Sequence, residues 1–364
     1  MQITSITSRD KNRMEKLLSP VTTDYEMVFD LSGNVPNSPL QGFIAIHSTF
    51  LGPALGGTRL WNYQDHDEAL KDALRLSRAM TYKCAVAGLP FGGGKGVIIY
   101  DGTSPIPDEI LQAYAQKVSA LDGDFYTGED VGLTEENVQH MMKFSRYFIG
   151  KTGQAGDPSK YAAFSTFQSI KLALEEIFGR NEVSGRSFAI KGAGKTGHEL
   201  AKLIYEEGGK IIISDIDKRA IKKVQGECPE ITPVSIQEIM DQKVDVFCPC
   251  ALGNDITKNN TLALKAKIIA GTANNQLESE DIGDQLYQTG ILYVPDYVAN
   301  AGGLINVADE LLPGGYNKSR VMSNINKLKD TFKTILKLSK EQNLSPNRIA
   351  DRIAEERFQP LKYV

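Results

Sequence analysis

The stretch that decides the fold is residues 187–215, which read SFAIKGAGKTGHELAKLIYEEGGKIIISD. A β-rich run leads into a GxGxxG pattern, a helix-like spacing of apolar residues follows, and a second β-rich run ends at an aspartate. In this order the glycines allow a tight turn, close approach of a pyrophosphate and close helix packing, while the acid accepts hydrogen bonds from ribose hydroxyls. An acid there also repels a 2′-phosphate, so the pattern predicts NAD rather than NADP. The cofactor-binding residues expected here are Gly192, Ala193, Gly194, Lys195, Thr196, Gly197 and Asp215.

Part of this loop imitates a different phosphate site. Gly194-Lys195-Thr196 resembles the end of a P-loop, which needs another glycine five positions before its second one. Ala189 stands at that position, inside the β-rich run. We therefore do not expect a nucleoside triphosphatase.

The chain beyond this loop continues to alternate strand-like and helix-like segments. The strand-like runs are Phe188–Lys191, Ile211–Ser214, Val244–Cys248, Ile268–Ala270 and Ile291–Val294. Such alternation predicts a parallel sheet covered by helices, with ligands bound beyond the carboxyl ends of the strands. Two strands lead out into CPCALGN and GTANNQ, where asparagines either form turns or bind the nicotinamide carboxamide. The candidate cofactor-binding residues there are Ala251, Leu252, Asn274 and Asn275.

Composition favours an ordinary soluble globular protein with a small-molecule partner. The chain has 364 residues, of which 41% are hydrophobic and 24% charged, and its net charge is -4. This length predicts two domains, and this charge offers no basic field for nucleic acid or anionic membrane. No targeting or spanning segment is visible, which predicts a cytoplasmic protein. The four cysteines and four histidines are too scattered for a disulfide framework or a metal site, so we expect reduced thiols and no metal.

A second glycine-rich stretch, Leu89–Gly96, reads LPFGGGKG and delivers Lys95 out of an apolar run. We interpret it as a glycine turn that allows close approach to a ligand. Poor solvation would lower the pKa of Lys95 toward the range useful for proton transfer, although a turn lysine can also simply reach solvent. Lys83 lies twelve positions earlier, and Asp130 precedes a predicted helix that begins near Thr134. A fixed cation, a proton-transferring lysine and an acid suit nicotinamide chemistry.

Seven motifs in order resemble the leucine, valine, phenylalanine and glutamate dehydrogenase superfamily. They are LGPALGGTRLW (51–61), MTYKCAVAGLPFGGGKGVII (80–99), GEDVG (128–132), KGAGKTG (191–197), CPCALGN (248–254), GTANNQ (271–276) and PDYVANAGGLINVADE (295–310). The resemblance runs from about residue 43 to residue 357 and is strongest to the leucine, valine and phenylalanine branch. It implies an α/β fold of two domains: an N-terminal α/β substrate and assembly domain, and a doubly wound Rossmann NAD-binding domain, with an active-site cleft between them.

The Gly- and Pro-containing segment 151–159 suggests the boundary between these domains. Residues 1–150 would bind substrate and form a homo-oligomer, completed by C-terminal helices at about 335–364, and residues 151–334 would bind NAD. An amphipathic helix is predicted over Met322–Lys340, packed on a domain formed earlier in the chain.

The resemblance also implies a reaction and residue roles. The reaction is reversible oxidative deamination of an L-amino acid to its 2-oxo acid and ammonia with NAD. Lys95 corresponds to the lysine that activates water, Lys83 to the one that binds the α-carboxylate, and Asp130 to the acid near the reacting amine. Gly56 and Gly57 would line the substrate pocket with backbone, and Asn275 would lie near nicotinamide and substrate.

Two features limit how far the resemblance carries. Ala162 and Ser165 stand where the family commonly has a threonine that orients the nicotinamide and a glycine. The side-chain pocket positions are Leu55, Gly128, Leu304 and Val307, which disfavour glutamate. Gly128 leaves room as in phenylalanine enzymes, whereas Val307 resembles leucine and valine enzymes. We expect a branched-chain substrate, with an aromatic amino acid as the alternative, and a non-catalytic NAD or amino-acid sensor as the alternative of another class.

Overall fold

The computed structural model describes residues 25–32, 40–102, 105–150 and 155–359. The chain forms two compact units. Unit 1 comprises Met1–Gly156, Glu310–Tyr316 and Glu355–Val364, and unit 2 comprises Asp157–Asp309 and Asn317–Ala354.

Unit 1 is built on a mixed sheet with helices on both faces. Its elements in chain order are β1 (Met27–Asp30), β2 (Gly42–Ser48), β3 (Ala54–Leu55), β4 (Thr58–Trp61), α1 (His66–Ala87), β5 (Gly92–Ile99), α2 (Asp108–Ser119), β6 (Phe125–Tyr126) and α3 (Glu135–Met141). The strand order is β1-β2-β5-β3-β6, and β4 also pairs with β5. Strands β1, β2 and β5 are antiparallel, whereas β3 and β4 run parallel to β5.

Alternation of side chains along these strands divides the core of unit 1 in two. Phe43, Ala45 and Val97 face helix α1 and pack with its apolar stripe around Ala73 and Leu74. The opposite face packs against α2 and α3 and contains Ile44, Ile98, Leu111, Tyr114, Val138 and Met141. Residues two apart on a strand share a face, so Lys95 lies on the α1 face beside Val97.

The glycines of Leu89–Gly96 form part of strand β5, so the interpretation of this stretch as a glycine turn is wrong. None of them has a positive φ. A Cβ on Gly93 would lie 2.1 Å from Thr81 N, and one on Gly94 would lie 2.7 Å from the Phe125 ring. Close packing of α1 on one face and of Phe125 on the other explains the glycines, because no side chain fits at either position. They make room for neighbouring protein rather than for a ligand.

Helix α1 has a defined beginning and end. The Asp65 side chain accepts a hydrogen bond from Glu68 N at the N-terminus, and Gly88 (φ 68°) closes the C-terminus in the left-handed conformation. Arg357, from the last helix of the chain, donates to the exposed carbonyls Ala85 O and Val86 O, the latter at 2.9 Å. The C-terminal end of α1 is thereby satisfied by the end of the chain.

Unit 2 is a parallel sheet flanked by helices. Its elements in chain order are α4 (Ser159–Phe178), β7 (Ser187–Lys191), α5 (Lys195–Glu206), β8 (Lys210–Ser214), α6 (Lys218–Glu227), β9 (Thr232–Pro233), β10 (Val246–Pro249), β11 (Ile268–Ile269), α7 (Glu280–Gln288), β12 (Leu292–Tyr293), α8 (Asp296–Ala299), α9 (Gly302–Ala308), α10 (Lys318–Gln342) and α11 (Pro346–Phe358), whose last residues belong to unit 1. The strand order is β12-β11-β10-β7-β8-β9, and every pairing is parallel. The predicted α/β fold with a Rossmann-type sheet is confirmed, and all five strand-like runs are strands.

The predicted amphipathic helix over Met322–Lys340 is helix α10, whose buried stripe includes Ile325, Leu328 and Phe332. Residues 335–354, which the sequence assigned to the first domain, lie in unit 2 instead. The physical reason is visible at Arg348, which forms ion pairs with Glu280, Asp281 and Asp284 at about the start of α7. Of the residues from 335 onward, only those from Glu355 on belong to unit 1.

Among the described residues, no helix is both long and apolar enough to cross a membrane.

Candidate functional site

Lys95 and Asp130 form a direct ion pair in unit 1. Lys95 Nζ donates to Asp130 Oδ2, and the second carboxylate oxygen accepts from Val131 N at 2.6 Å. The Lys95 side chain is only 6% exposed and that of Asp130 is 21% exposed. Strand β5 holds the lysine, while the loop before the capped helix α3 holds the acid. A proton can therefore pass between these two groups without crossing bulk water.

Burial lowers the pKa of Lys95 well below its usual range, and the positive charges of Arg59, Lys83 and Arg75 lower it further. The carboxylate of Asp72 opposes this shift, and so does that of Asp130, because a negative charge in contact favours the protonated lysine. A lysine with a lowered pKa can lose its proton near neutral pH and act as a general base. The expectation of a poorly solvated Lys95 is thus supported by its surroundings.

A polar cluster between β4 and α1 supplies most of these charges. Asp72 accepts from Arg59 at 2.8 Å, from Tyr63 Oη at 2.7 Å and from Arg75 at 3.0 Å. Burial by itself raises the pKa of Asp72, but Arg59, Tyr63 and Arg75 outweigh it and the net shift is downward. Burial and the Asp72 carboxylate raise the pKa of Tyr63. This cluster is not predicted by the sequence, although Arg59 follows the Gly56-Gly57 pair by two residues.

Lys83 lies in the last turns of α1 and is half-buried. The positive charge of Lys83 contributes to the lowered pKa of Lys95. The structure thus brings the two lysines and Asp130 into one region of unit 1.

The glycine pair before β4 has a packing role. A Cβ on Gly57 would lie 2.8 Å from Asp130 Cβ, and one on Gly56 would lie 1.9 Å from Gly94 O. Leu55, next to them in β3, is fully buried. The absence of a side chain at Gly57 therefore allows Asp130 to approach closely.

Gly128 lies close to Ile149. A Cβ there would lie 2.9 Å from Ile149 O and 3.3 Å from Ile149 Cγ1. Ile149 is itself buried. The backbone and side chain of Ile149 thus lie where a side chain at position 128 would begin.

The three glycines of the loop after β7 differ in what surrounds them. Gly192 has φ 110°, and its Cβ would lie 2.7 Å from Ala251 N. A Cβ on Gly197 would lie 2.0 Å from Gly192 O, whereas nothing lies within 4 Å of one on Gly194. A tight turn, an open backbone face and close helix packing are what a pyrophosphate-binding loop requires. Lys195 and Thr196 begin α5, whose N-terminus offers backbone N–H groups and positive dipole to an anion.

Asp215 is held beside this loop. Its carboxylate accepts from Ala193 N at 2.6 Å and from Asp217 N at 2.7 Å. Each carboxylate oxygen can accept more than one hydrogen bond, so the group can still accept from ribose hydroxyls. The residues present fit a dinucleotide.

The loops after β10 and β11 lie at the same edge of the sheet. Ala251, Leu252 and Asn274 are exposed, whereas Asn275 is half-buried and adopts φ 52°. Asparagine tolerates this left-handed conformation better than most residues, so part of its presence is explained by the turn. Gln276 ties the loop to itself by donating to Gly271 O and Ala273 O at 2.9 and 3.0 Å.

The remaining predicted positions lie on helices α4 and α9 of unit 2. Leu304 is buried and Val307 half-buried on α9. Ala162 packs toward Gly303, whose Cβ would lie 3.3 Å from Ala162 Cβ. Ser165 is buried, and its hydroxyl bonds to Ala299 O at the end of α8 and to Gly302 N at the start of α9.

The cysteines are buried free thiols. Burial raises the pKa of Cys84 to about 12 and that of Cys250 to about 11, so neither is a ready thiolate. Over the residues with described positions, no group of three or more metal-ligating side chains converges.

Comparison with known proteins agrees with this geometry. Residues 30–147 match the sequence profile described as Glu/Leu/Phe/Val dehydrogenase, dimerisation domain, and residues 213–358 match the profile Glutamate/Leucine/Phenylalanine/Valine dehydrogenase. The chain belongs to the Glu/Leu/Phe/Val dehydrogenase family. As a member it is an amino acid dehydrogenase, and the resemblance drawn from its motifs is confirmed.

Individual members of the Glu/Leu/Phe/Val dehydrogenase family match along almost the whole chain. It is 41% identical over 344 residues to leucine dehydrogenase of Geobacillus stearothermophilus, covering 94% of this chain and 92% of that one. It is 40% identical over 332 residues to phenylalanine dehydrogenase of Bacillus thermotolerans, covering 89% and 86%. The crystal structure of L-tryptophan dehydrogenase from Nostoc punctiforme superposes with a TM-score of 0.78 at 36% identity, covering 97% and 99%.

Proposed function

We propose that this protein catalyses the NAD-dependent oxidative deamination of a branched-chain L-amino acid of the leucine or valine type. An amino acid, NAD⁺ and water give the 2-oxo acid, ammonium, NADH and a proton, and the reaction is reversible. The observation that carries the proposal is the buried contact between Lys95 Nζ and Asp130 Oδ2. A base of lowered pKa beside an acid is what the release of ammonia requires.

Each residue of this group has one task in the proposed mechanism. Lys83 binds the substrate α-carboxylate as a fixed positive charge, and the backbone of Gly56 and Gly57 lines the pocket. Asp130 takes up and returns protons at the reacting nitrogen. Lys95 in its neutral form removes a proton from the water that attacks the substrate carbon, because burial and neighbouring cations lower its pKa.

The cofactor in this proposal is NAD, which accepts the hydride from the substrate α-carbon when bound. The open face of Gly194 and the N-terminus of α5 would bind the pyrophosphate. Asp215 would bind the ribose hydroxyls and disfavour NADP. Ala251, Leu252, Asn274 and Asn275 would contact the nicotinamide half.

The preference for a branched-chain substrate rests on apolar lining and on similarity. The positions that the family resemblance assigns to the side-chain pocket are apolar at Leu55, Leu304 and Val307. Relatives named leucine dehydrogenase are 40–41% identical over most of the chain. Aromatic amino acids are the second candidate, because the L-tryptophan and phenylalanine enzymes are almost equally similar.

The test is a panel of initial rates at alkaline pH. Leucine, valine, isoleucine, phenylalanine, tryptophan and glutamate are each supplied with NAD⁺ or NADP⁺, and absorbance of the reduced cofactor is followed. We expect the highest kcat/KM with leucine or valine and NAD⁺. A higher kcat/KM with an aromatic amino acid would favour the second candidate. A protein that binds NAD yet reduces none of it with any amino acid would be a sensor.

We also propose that the protein is a homo-oligomer assembled through unit 1. The match of residues 30–147 to a profile described as a dimerisation domain supports this. Light scattering on the purified protein tests it, and a monomer at micromolar concentration would refute it.

A further inference from the structure

Ser165 lies in the middle of α4, is 2% exposed and bonds outside its own helix. Its Oγ is 2.7 Å from Ala299 O and 3.1 Å from Ala162 O, and it accepts from Gly302 N at 3.0 Å. A hydroxyl has one proton to donate, and the shorter distance indicates that Ser165 Oγ donates it to Ala299 O. The hydroxyl thus joins the last residue of α8 to the first residue of α9.

Asn300, the first residue between α8 and α9, bonds to the loop that follows β11. It is 3% exposed, and its Nδ2 lies 3.1 Å from Thr272 O, 3.3 Å from Ala273 O and 2.9 Å from Asn274 Oδ1. These acceptors belong to the loop that follows β11. The position of that loop therefore depends on where the α8–α9 junction is held.

The same loop is bonded to the glycine-rich loop on the other side. Thr272 Oγ1 donates to Thr196 Oγ1 at 2.8 Å, and Thr196 lies in the first turn of α5. Hydrogen bonds of three side chains, Ser165, Asn300 and Thr272, thus connect α4 to Thr196 through the backbone of the α8–α9 junction and of Thr272. All of these residues are in unit 2.

We propose that Ser165 is a positioning residue for hydride transfer. Through Asn300 it fixes the loop that carries Asn274 and Asn275 relative to the glycine-rich loop, and so fixes the nicotinamide ring relative to the pyrophosphate. This inference rests on the proposed function. Because transfer rates are sensitive to displacements of about 1 Å, loss of the hydroxyl should lower kcat by roughly 10-fold to 100-fold.

The helix supplies a matched control one turn away. Ser169 is also buried, and its hydroxyl donates to Ser165 O, a backbone oxygen of the same helix, at 3.0 Å. Ser169→Ala removes the same hydroxyl from the same helix without touching the junction. A purely structural role of Ser165 would give both variants similar kinetics.

The experiment compares wild type, Ser165→Ala and Ser169→Ala with the amino acid that the wild type oxidises fastest. The measurements are kcat, KM for both substrates, NAD⁺ Kd by calorimetry, and the isotope effect on kcat with the α-deuterated amino acid. We expect Ser165→Ala alone to show lower kcat and a larger isotope effect, with NAD⁺ Kd changed less than threefold. Equal kcat and isotope effect in the two variants would overturn the proposal.

A second variant and the activity of the wild type separate failure of folding, of the proposed function and of the role of Ser165. If Ser165→Ala does not fold, Thr272→Val cuts the same set of bonds at its other end, and unchanged kcat and isotope effect there would overturn the positioning role. A wild type that reduces no NAD⁺ with any amino acid would refute the proposed function itself. Wild-type turnover with indistinguishable serine variants would refute only the role of Ser165.

Discussion

Neutralising Asp72 by Asp72→Asn should move the pH dependence of catalysis. Asp72 compensates Arg59, whose positive charge lowers the pKa of Lys95. Asparagine keeps the size of the side chain and removes the charge, so the positive potential at Lys95 increases and its pKa falls. The neutral, proton-accepting form of Lys95 then exists at lower pH.

The size of the shift follows from the strand register. Arg59 pairs with Val97, which lies two residues from Lys95 on the same face of the sheet. From the strand spacing and the rise per residue, the charged groups of Arg59 and of the adjoining Asp72 lie roughly 8 to 10 Å from Lys95. A unit charge at roughly 10 Å and an effective dielectric constant of about 20 contributes about 1.7 kcal/mol. This corresponds to about one pKa unit.

The assay is the pH profile of kcat/KM for deamination, which reports the pKa values of the free enzyme. We expect the acidic limb to move to lower pH by about one unit in Asp72→Asn. Asp330→Asn, which removes an exposed charge from α10, is the control and should leave the limb in place. An unmoved limb in Asp72→Asn would refute the reasoning that this cluster sets the pKa of Lys95.

Five further substitutions test the site and the fold. Lys95→Ala should lower kcat by about 10²-fold to 10⁴-fold with NAD⁺ Kd retained in calorimetry, and near-normal turnover would contradict its role as the base. Lys83→Ala should raise KM for the amino acid more than it lowers kcat, so an unchanged KM would count against carboxylate binding. Asp215→Ala should reduce the ratio of kcat/KM for NAD⁺ over NADP⁺, and a constant ratio would exclude its role in selectivity. Gly93→Ala should cost about 3 kcal/mol of stability or more in urea unfolding because its Cβ meets backbone, whereas Gly194→Ala should unfold like wild type but bind NAD⁺ more weakly. Equal unfolding midpoints for the two would show that the strand adapts.

The sequence was sufficient for the features that depend on local pattern. Alternating β-rich and helical segments predicted the parallel sheet of unit 2, and the spacing of Gly192, Gly194 and Gly197 predicted their three different surroundings. The approach of Lys95 to Asp130 followed less directly, since 35 residues separate them. The family resemblance placed both residues near the reacting atoms without predicting a contact between them, and the structure shows that contact.

Features that depend on distant neighbours escaped the sequence analysis. A run of glycines indicates a turn only if nothing occupies the missing side-chain volume, and at Gly93 the occupant is Thr81 of α1. Likewise nothing in the sequence around Gly128 shows that Ile149 O would lie 2.9 Å from a Cβ at that position. The cluster at Asp72 joins a strand to a helix, and neither segment contains a pattern that reveals the other.

Arg357 donates to the C-terminal carbonyls of α1 and so connects two segments that are 272 residues apart in the sequence. Tyr82 of α1 donates to Glu355 at 2.6 Å and stacks edge-on against Phe358, so the contact has a polar and an aromatic part. Lys83 follows Tyr82 directly in the helix. Proteolytic clipping just before Glu355 would consequently do more than shorten a terminus, because it would loosen the helical turn that presents Lys83. The contacts of Glu355, Arg357 and Phe358 are thereby coupled to the conformation of α1 around Lys83 across a sequence separation of 273 residues.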